Sequence, residues 1–482
     1  MIRSPSLRLL APASVVLSLA SASSRASAQA PPLSESMVIG AWTFRPSLEV
    51  RVRGEYKRHP TDTGGAVYGS TAVLAEGYQS TNPTVIDALP AVNNQYLVSE
   101  RTRLGLAVDR GPVTAALVLQ DARVFGDSRA AFVGPGEPTL PSLQPFEAYI
   151  DVHARTGRKM FFRLGRQKVT WGDGRLVSAN DWSFTGRSLD AARFGTQIAD
   201  IDIELMAAML AAPGGMPPTV GGAREPVREG LGAQLYGIDA TWHILPLLHV
   251  ELTGLARITR EPFPTNLTPS DSFVIDARIY GDHRGFHYAA EGAYQLGKVA
   301  SYGTERAHQA FALAARAGLE TSLPAHLTVN ADVAYATGDD GTFDGTQKRF
   351  DPLLPDQRAY LSPMSAVAWS NILTAGGNVG LRPLDELGLT LGYRAALLAS
   401  KSGRWTTGDL VPVGAKVDNT SAFLGHEIDY AMKITPWKPI DIDAGYGLMI
   451  MGDGARAILR DVGRPATLQH WAYLQTTVRA PW

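Results

Sequence analysis

Residues 161–194 read FFRLGRQKVTWGDGRLVSANDWSFTGRSLDAARF. At both ends apolar side chains alternate with other residues, while the centre is dense in Gly, Asp, Arg, Trp and Asn. A period of two means side chains pointing to opposite faces of an extended chain, so the stretch predicts strand, ordered loop, strand. Arg166 breaks parity with Arg163, which predicts a bulge or the end of the strand near Gly165. Asp173, Arg175, Asp181, Arg187, Asp190 and Arg193 alternate in sign. Such groups satisfy one another best in a confined space of low dielectric, so the loop is expected to fold inward as an ordered constriction. Trp182 and Leu176 would anchor it. Trp171 and Trp182 could instead belong to an aromatic belt at a membrane interface, a place that suits Trp171 equally well.

The same period recurs outward from this stretch. Leu48, Val50, Val52, Gly54 and Tyr56 alternate with Glu49, Arg51, Arg53, Glu55 and Lys57, which puts the charges on one face. One such strand is compatible with a soluble sandwich, but number and spacing are not. About eighteen segments of this kind can be read between residue 47 and the C-terminus, an even number of the length a tilted membrane strand needs. The connections alternate too. Arg110-Gly111-Pro112 is a tight turn, whereas a polar loop runs from Lys57 to about Gln95. Short turns are expected near Gly157, Ala199, Leu245, His283, Pro324, Pro383 and Pro436, with longer loops near 122–142, 212–230, 338–366 and 400–420. Short turns at one rim and long loops at the other predict an all-β fold, a transmembrane antiparallel β-barrel of 18 strands. No helix-period segment of useful length is read within it, so no internal plug domain is expected.

Arg3 and Arg8 precede an apolar run from Ala13 to Ala22, and Ala26-Ser27-Ala28 has the form of a cleavage site. Residues 1–28 therefore read as a signal peptide and 29–482 as a single barrel domain. The run is far shorter than the ~20 residues a spanning helix needs. With Arg3, Arg8 and Arg25 removed, 42 basic residues face 46 acidic ones. That balance argues against a nucleic-acid partner. Cysteine is absent, which excludes disulfides and thiolate metal sites.

The central stretch resembles the alginate export family of outer-membrane β-barrels. The family pattern of Gly-Arg-Gln, Gly-Asp-x-Arg-Leu and Asp-Trp-Ser-Asn, followed by a Phe-Asp-Gly-x-Arg turn, is matched by Gly165, Arg166, Gln167, Gly172, Asp173, Arg175, Leu176, Asp181, Trp182, Ser183, Asp190 and Arg193. Phe184 replaces the Asn, and Leu189 and Ala191 flank Asp190 where the family carries Phe and Gly. Further likenesses lie in Asp121, Arg123 and Gly126-Asp127, in Glu147-Ala148-Tyr149, in Tyr335 to Asp340, in Phe350-Asp351-Pro352-Leu353-Leu354-Pro355, and in Gly425-His426-Glu427-Ile428-Asp429. The end on Trp482 is similar to the sorting signal of outer-membrane barrels. The resemblance implies a channel in the outer membrane of a Gram-negative cell, in contact with its lipid, passing an anionic or neutral sugar, with periplasmic export partners.

If the apolar parity faces lipid, the other parity lines water, because a charge facing hydrocarbon costs about 2 to 4 kcal/mol near the midplane. The pore-lining and solute-binding candidates are then Arg51, Arg53, Arg101, Arg103, Arg163, Arg166, Asp173, Arg175, Asp181, Asp190, Arg193 and Glu427. A ladder of guanidinium groups suits an anionic sugar, since Arg grips carboxylates bidentately. The same charges read equally as ion pairs bracing a wide wall. A general or small-solute diffusion porin is the alternative, and an outer-membrane enzyme or adhesin a third. Asp173, Asp181 and Asp190 could supply a hydrolytic carboxylate pair, but carboxylates are too common to carry that reading. The ten histidines show no metal-ligand spacing, and no nucleophile elbow or phosphate loop occurs. The expectation is a passive channel without cofactor or metal, and not an enzyme.

Overall fold

A computed structural model of the chain describes residues 36–59, 94–125, 143–154, 159–211, 233–245, 247–259, 270–301, 304–323, 325–340, 344–356, 358–410, 412–461 and 463–480. The predicted signal peptide lies outside them. Eighteen long strands follow in order. The first half comprises β1 (Trp42–Arg58), β2 (Asn94–Arg110), β3 (Val113–Phe125), β4 (Gln144–His153), β5 (Met160–Gln167), β6 (Leu189–Ile198), β7 (Ile201–Ala211), β8 (Ala233–Leu245) and β9 (Leu248–Thr259). The second comprises β10 (Ser270–His283), β11 (Phe286–Ser301), β12 (Thr304–Glu320), β13 (Thr328–Ala336), β14 (Ile372–Leu384), β15 (Leu387–Leu397), β16 (Phe423–Trp437), β17 (Ile440–Met451) and β18 (Gln469–Ala480). Each pairs antiparallel with the next, and β1 closes the ring on β18 from Leu48↔Ala480 to Arg58↔His470. Closure leaves no main strand with an unpaired edge.

Burial on this wall is inverted relative to a soluble protein. Arg51 and Arg53 are 5% and 4% exposed while Val52 between them is 44% exposed. Leu104, Leu106, Ile275 and Leu313 likewise point out, and Arg101, Arg103, Asp276 and Ala312 point in. An apolar outer surface and a charged inner one are what a barrel in lipid requires. Trp42, Trp242 and Trp437 are exposed at the short-turn rim, in the position of an interfacial belt. Among the described residues no helix is long and apolar enough to cross a membrane, so the crossing is made by strands.

The turns alternate as expected, with one exception. The β11–β12 connection, residues 302–303, is short although it lies at the long-loop rim. The ladder from His153↔Phe161 to Ala148↔Arg166 runs without a register shift, so of the two expectations near Gly165 there is no bulge but a glycine at φ +125°, and the strand ends two residues on, at Gln167. A side chain there would meet the Ala148 carbonyl. A second departure is a helix, α1 (Asp453–Asp461), in the β17–β18 connection. It is only nine residues long, yet its buried Ala455, Ile458 and Leu459 keep helical spacing on one face.

A ring of eighteen strands is too wide for its own side chains to fill. Here the described parts of three loops, 168–188, 344–356 with 358–371, and 398–410 with 412–422, fold into it around an apolar cluster that includes Val169, Trp171, Leu176, Val177, Phe350, Leu353, Trp369 and Trp405. The first two loops run side by side. Leu354 N donates to Leu176 O at 2.9 Å, Ser178 N to Leu354 O at 2.9 Å, and Asp356 N to Gly174 O at 2.8 Å. On β12 the outward positions hold Phe311 and Leu313, whereas the inward Ala310, Ala312 and Ala314 are buried. Small residues on that wall leave room for Phe350, which is fully buried and meets Trp369 edge-on at 5.1 Å.

Candidate functional site: the lumenal constriction

The loop at 168–188 enters the lumen because β1 and β2 present guanidinium groups to its backbone. Arg51 donates to Asp181 O at 2.7 Å and to Ser183 O at 2.6 Å. Arg53 donates to Trp182 O at 2.8 Å. Arg101 reaches Asp181 O at 3.2 Å, and Arg103 reaches Thr185 O at 3.2 Å. A carboxylate completes the clasp: Asp181 Oδ1 lies 2.8 Å from Arg103 and 3.2 Å from Arg101. Burial works to raise the Asp181 pKa, but Arg101 and Arg103 outweigh it and hold the carboxyl well below the usual range. Gly186 allows the chain to pass, with φ +69° and no room for a side chain against Arg103 and Phe146.

Trp182 hangs from this clasp into the lumen. It packs edge-on to Tyr473 at 5.0 Å and to Trp471 at 6.2 Å, both from β18. The Arg53 guanidinium lies over its ring at 4.6 Å. From the second inward loop, Arg358 lies 5.2 Å from the Trp182 ring and 4.5 Å from that of Trp471. A cavity of about 390 Å³ opens on the long-loop side, lined by Asn180, Thr185, Arg187 and Asp409 among others. A second, of about 380 Å³, lies toward the short-turn side with Asn378, Arg394, Asp429, Trp471 and Tyr473 in its wall. Trp182 and Arg358 border both cavities.

Guanidinium groups here differ in what neutralises them. Arg51, Arg187 and Arg358 bond to backbone carbonyls, Arg187 to Ser178 O and Leu354 O and Arg358 to Pro363 O. Among the described residues none of the three has a carboxylate within ion-pair distance. A carbonyl satisfies the hydrogen bond and leaves the charge.

Across the lumen the charges cancel. Asp173 lies between Arg175 at 3.3 Å and Arg316 at 3.4 Å, and Arg175 also meets Glu291 at 3.2 Å. Burial pushes the Asp173 pKa up, and Arg175, Arg316 and Arg278 more than reverse it. Arg278 pairs with Glu251 at 2.5 Å, and Arg394 with Asp332 at 2.7 Å. Asp351, on the second loop, is driven down to about 2 because Arg257 and Arg349 overcome its burial.

The candidates from the sequence fall into three groups. Arg51, Arg53, Arg101, Arg103 and Asp181 converge on the clasp. They are not free to grip solute as a ladder, since their donors hold the loop. Asp173, Arg175, Arg163, Arg193 and Glu427 are inward and engaged: Arg163 with Asp151, Arg193 with Glu204 at 2.6 Å, and Glu427 with Ser362 Oγ at 2.6 Å and Met364 N at 3.1 Å. Arg166 and Asp190 stand apart. They pair at 2.9 Å on the parity of the exposed Phe162 and Leu164, on the outer face, because the ladder keeps its register through Gly165. Trp171 is not in an interfacial belt but buried, donating to Glu204 at 2.6 Å. Sequence reasoning missed Arg358, Trp471 and Tyr473. The last two were legible, being opposite in parity to the lipid-facing Leu474 and Val478; Arg358 lies in a long loop with no period to place it.

Among the described residues no three His, Asp or Glu side chains are placed to hold a metal ion. A closed barrel with an apolar outside, a charged inside and loops narrowing its lumen is an outer-membrane channel. The alginate export family profile matches residues 78–209 and 267–463, and the chain belongs to that family. Its place is therefore the outer membrane of a Gram-negative cell, in contact with that membrane's lipid, and its family and fold are those of channels rather than enzymes. Among solved structures it is similar to Pseudomonas aeruginosa OpdO, with TM-score 0.54 and 11% identity over 91% of this chain and 98% of that one. It is also similar to Acinetobacter baumannii OccAB2, with TM-score 0.52 and 10% identity over 90% and 98%. A third is P. aeruginosa OccK5 (OpdH), with TM-score 0.52 and 8% identity over 91% and 98%. Identities this low speak for the fold alone. No curated protein matches the sequence.

Proposed function

We propose that the channel passes anionic saccharides of the uronate type, one or two rings at a time, by diffusion past Trp182 and Arg358. The observation that carries this reading is Arg358, a cation with no ion-pair partner among the described residues, set against aromatic rings in the wall common to both cavities. A fixed cation without an ion-pair partner concentrates anions and repels cations in a narrow pore. The half-buried rings of Trp182 and Tyr473, backed by the buried Trp471, suit the C–H face of a sugar ring, an apolar surface edged with hydroxyls. Arg51 and Arg187 add charge behind this point. Cavities near the low end of the ~300–1,000 Å³ typical of ligand sites favour a short or extended solute over a bulky one. The same narrowness supports a second reading, a diffusion channel for small anions of any kind.

Single-channel recording from the purified chain separates the two. Block by di- and triuronates at concentrations where neutral oligosaccharides and simple carboxylates leave the current unchanged supports the saccharide reading. Equal block by simple carboxylates leaves the small-anion reading, and block by none of them removes both.

A further inference from the structure

At the short-turn mouth of the lumen, away from the constriction, His243 on β8 and His249 on β9 face each other directly across the ladder. Both take the inward parity of Asp239 and Glu251. Their Nδ1 atoms are 2.9 Å apart, with ring centroids at 4.9 Å and planes crossed at 76°. The outer nitrogen of each ring is treated differently. His243 Nε2 lies 2.8 Å from Asp202 Oδ2 on β7, which holds the proton on Nε2 and leaves the Nδ1 lone pair facing its neighbour. His249 stacks on Tyr280 at 5.0 Å, which fixes its plane.

We infer that His243 and His249 form a binding site for a divalent transition-metal ion of the Cu2+ class, ligated by the two Nδ1 atoms and otherwise by water. Metal–imidazole bonds of about 2.0–2.1 Å to two nitrogens at this spacing subtend about 90° at the metal. That is the cis angle of a tetragonal site, which suits Cu2+ or Ni2+ better than tetrahedral Zn2+. On binding, the single proton shared between the two Nδ1 atoms is displaced, and His249 carries its proton on Nε2 instead; no redox step is involved. Asp202 stays outside the ligand set, orienting His243 as a carboxylate partner does in histidine–metal sites. His243 and Asp202 keep 32% and 52% of their side-chain surface exposed, so a hydrated ion can reach the pair and water can complete the coordination. The six-residue separation of these histidines has no meaning as a linear motif; the hairpin between β8 and β9 brings them together.

The test is electron paramagnetic resonance of the full chain in detergent titrated with Cu2+. One ion per chain with superhyperfine splitting from two imidazole nitrogens is expected. His243→Gln or His249→Gln should abolish that signal, Asp202→Asn should weaken binding several-fold while keeping both nitrogens, and His426→Gln, on the outer face at the far rim, should change nothing. Folding of each variant is read from heat-modifiable migration, and His249→Gln, which keeps the His243–Asp202 pair, decides if His243→Gln fails to fold. A wild-type spectrum without two-nitrogen splitting, or one that survives in folded His249→Gln, overturns the site and leaves only a proton-sharing pair.

Discussion

Two walls of the same lumen carry similar numbers of arginines and use them differently. On the β1–β2 side Arg51, Arg53, Arg101 and Arg103 hold a loop by its carbonyl oxygens, and all but Arg51 also meet a carboxylate, Arg53 that of Glu55, Arg101 those of Glu49 and Asp181, and Arg103 that of Asp181. On the β9–β15 side Arg175, Arg278, Arg316 and Arg394 meet carboxylates. Pairing with a carboxylate cancels the field a few ångströms away, whereas pairing with a carbonyl leaves it standing. Position in the ring therefore says less about selectivity than the chemistry of the acceptor. Arg51, Arg187 and Arg358, which bond to carbonyls, set the charge of the passage, and the carboxylate-paired arginines of both walls brace the barrel.

The comparison breaks most visibly if the loop is removed. Deleting Val169 through Gly186 takes away the clasp, Trp182 and the strand-like partner of Leu354, so conductance should rise several-fold and saccharide block should vanish. Unchanged single-channel currents would show that the constriction lies elsewhere. Next in size is a charge test at fixed geometry. Arg358→Gln should lower anion preference, and Arg358→Glu should reverse it, read as the reversal potential in a salt gradient. The neutral double change Arg278→Gln with Glu251→Gln removes a pair without net charge and should leave that potential where it was. A shift as large as that of Arg358→Gln would erase the distinction between carbonyl-bound and carboxylate-paired arginines.

Acid provides a finer probe. The Asp181 carboxyl titrates below its unfolded value of about 3.9, so its contribution is fully present above that value and is lost only as pH falls through the lower folded pKa. Open-channel noise should therefore stay constant from neutrality down to about pH 4, and Asp181→Asn should show at neutral pH the noise that wild type shows only in stronger acid. Noise rising between pH 6 and 5 in wild type would assign the clasp to another group. The smallest effect is expected outside the barrel. Arg166 and Asp190 are 40% and 59% exposed at the outer face, so Arg166→Gln should cost no more than about 1 kcal/mol and leave conductance alone.

The strand pattern was open to reading because it follows from one constraint applied eighteen times. Lipid on one face and water on the other force alternation, and β7, β9 and β17 begin and end where the sequence period does. The inward loop was legible as well, since alternating signs around Asp181 are wasteful in open solvent. Helix α1 was not, because nine residues give only about two and a half turns of pattern, and it packs on residues 412–414 and on β16. Arg166 misled in the other direction: its motif neighbours invited an inward placement that the unbroken register denies.

The sequence by itself determined the barrel, the parity of its walls and the loop that narrows it, since these depend on local alternation and on the solvent each face meets. Only the tertiary structure decided which guanidinium keeps its charge in the passage. Arg51 and Arg394 look alike along the chain, and what separates them is whether a backbone carbonyl or the Asp332 carboxylate arrives from a distant segment. Backbone acceptors are present at every residue and leave no mark in the sequence, so the role of Arg358 exists only once the loops have been packed.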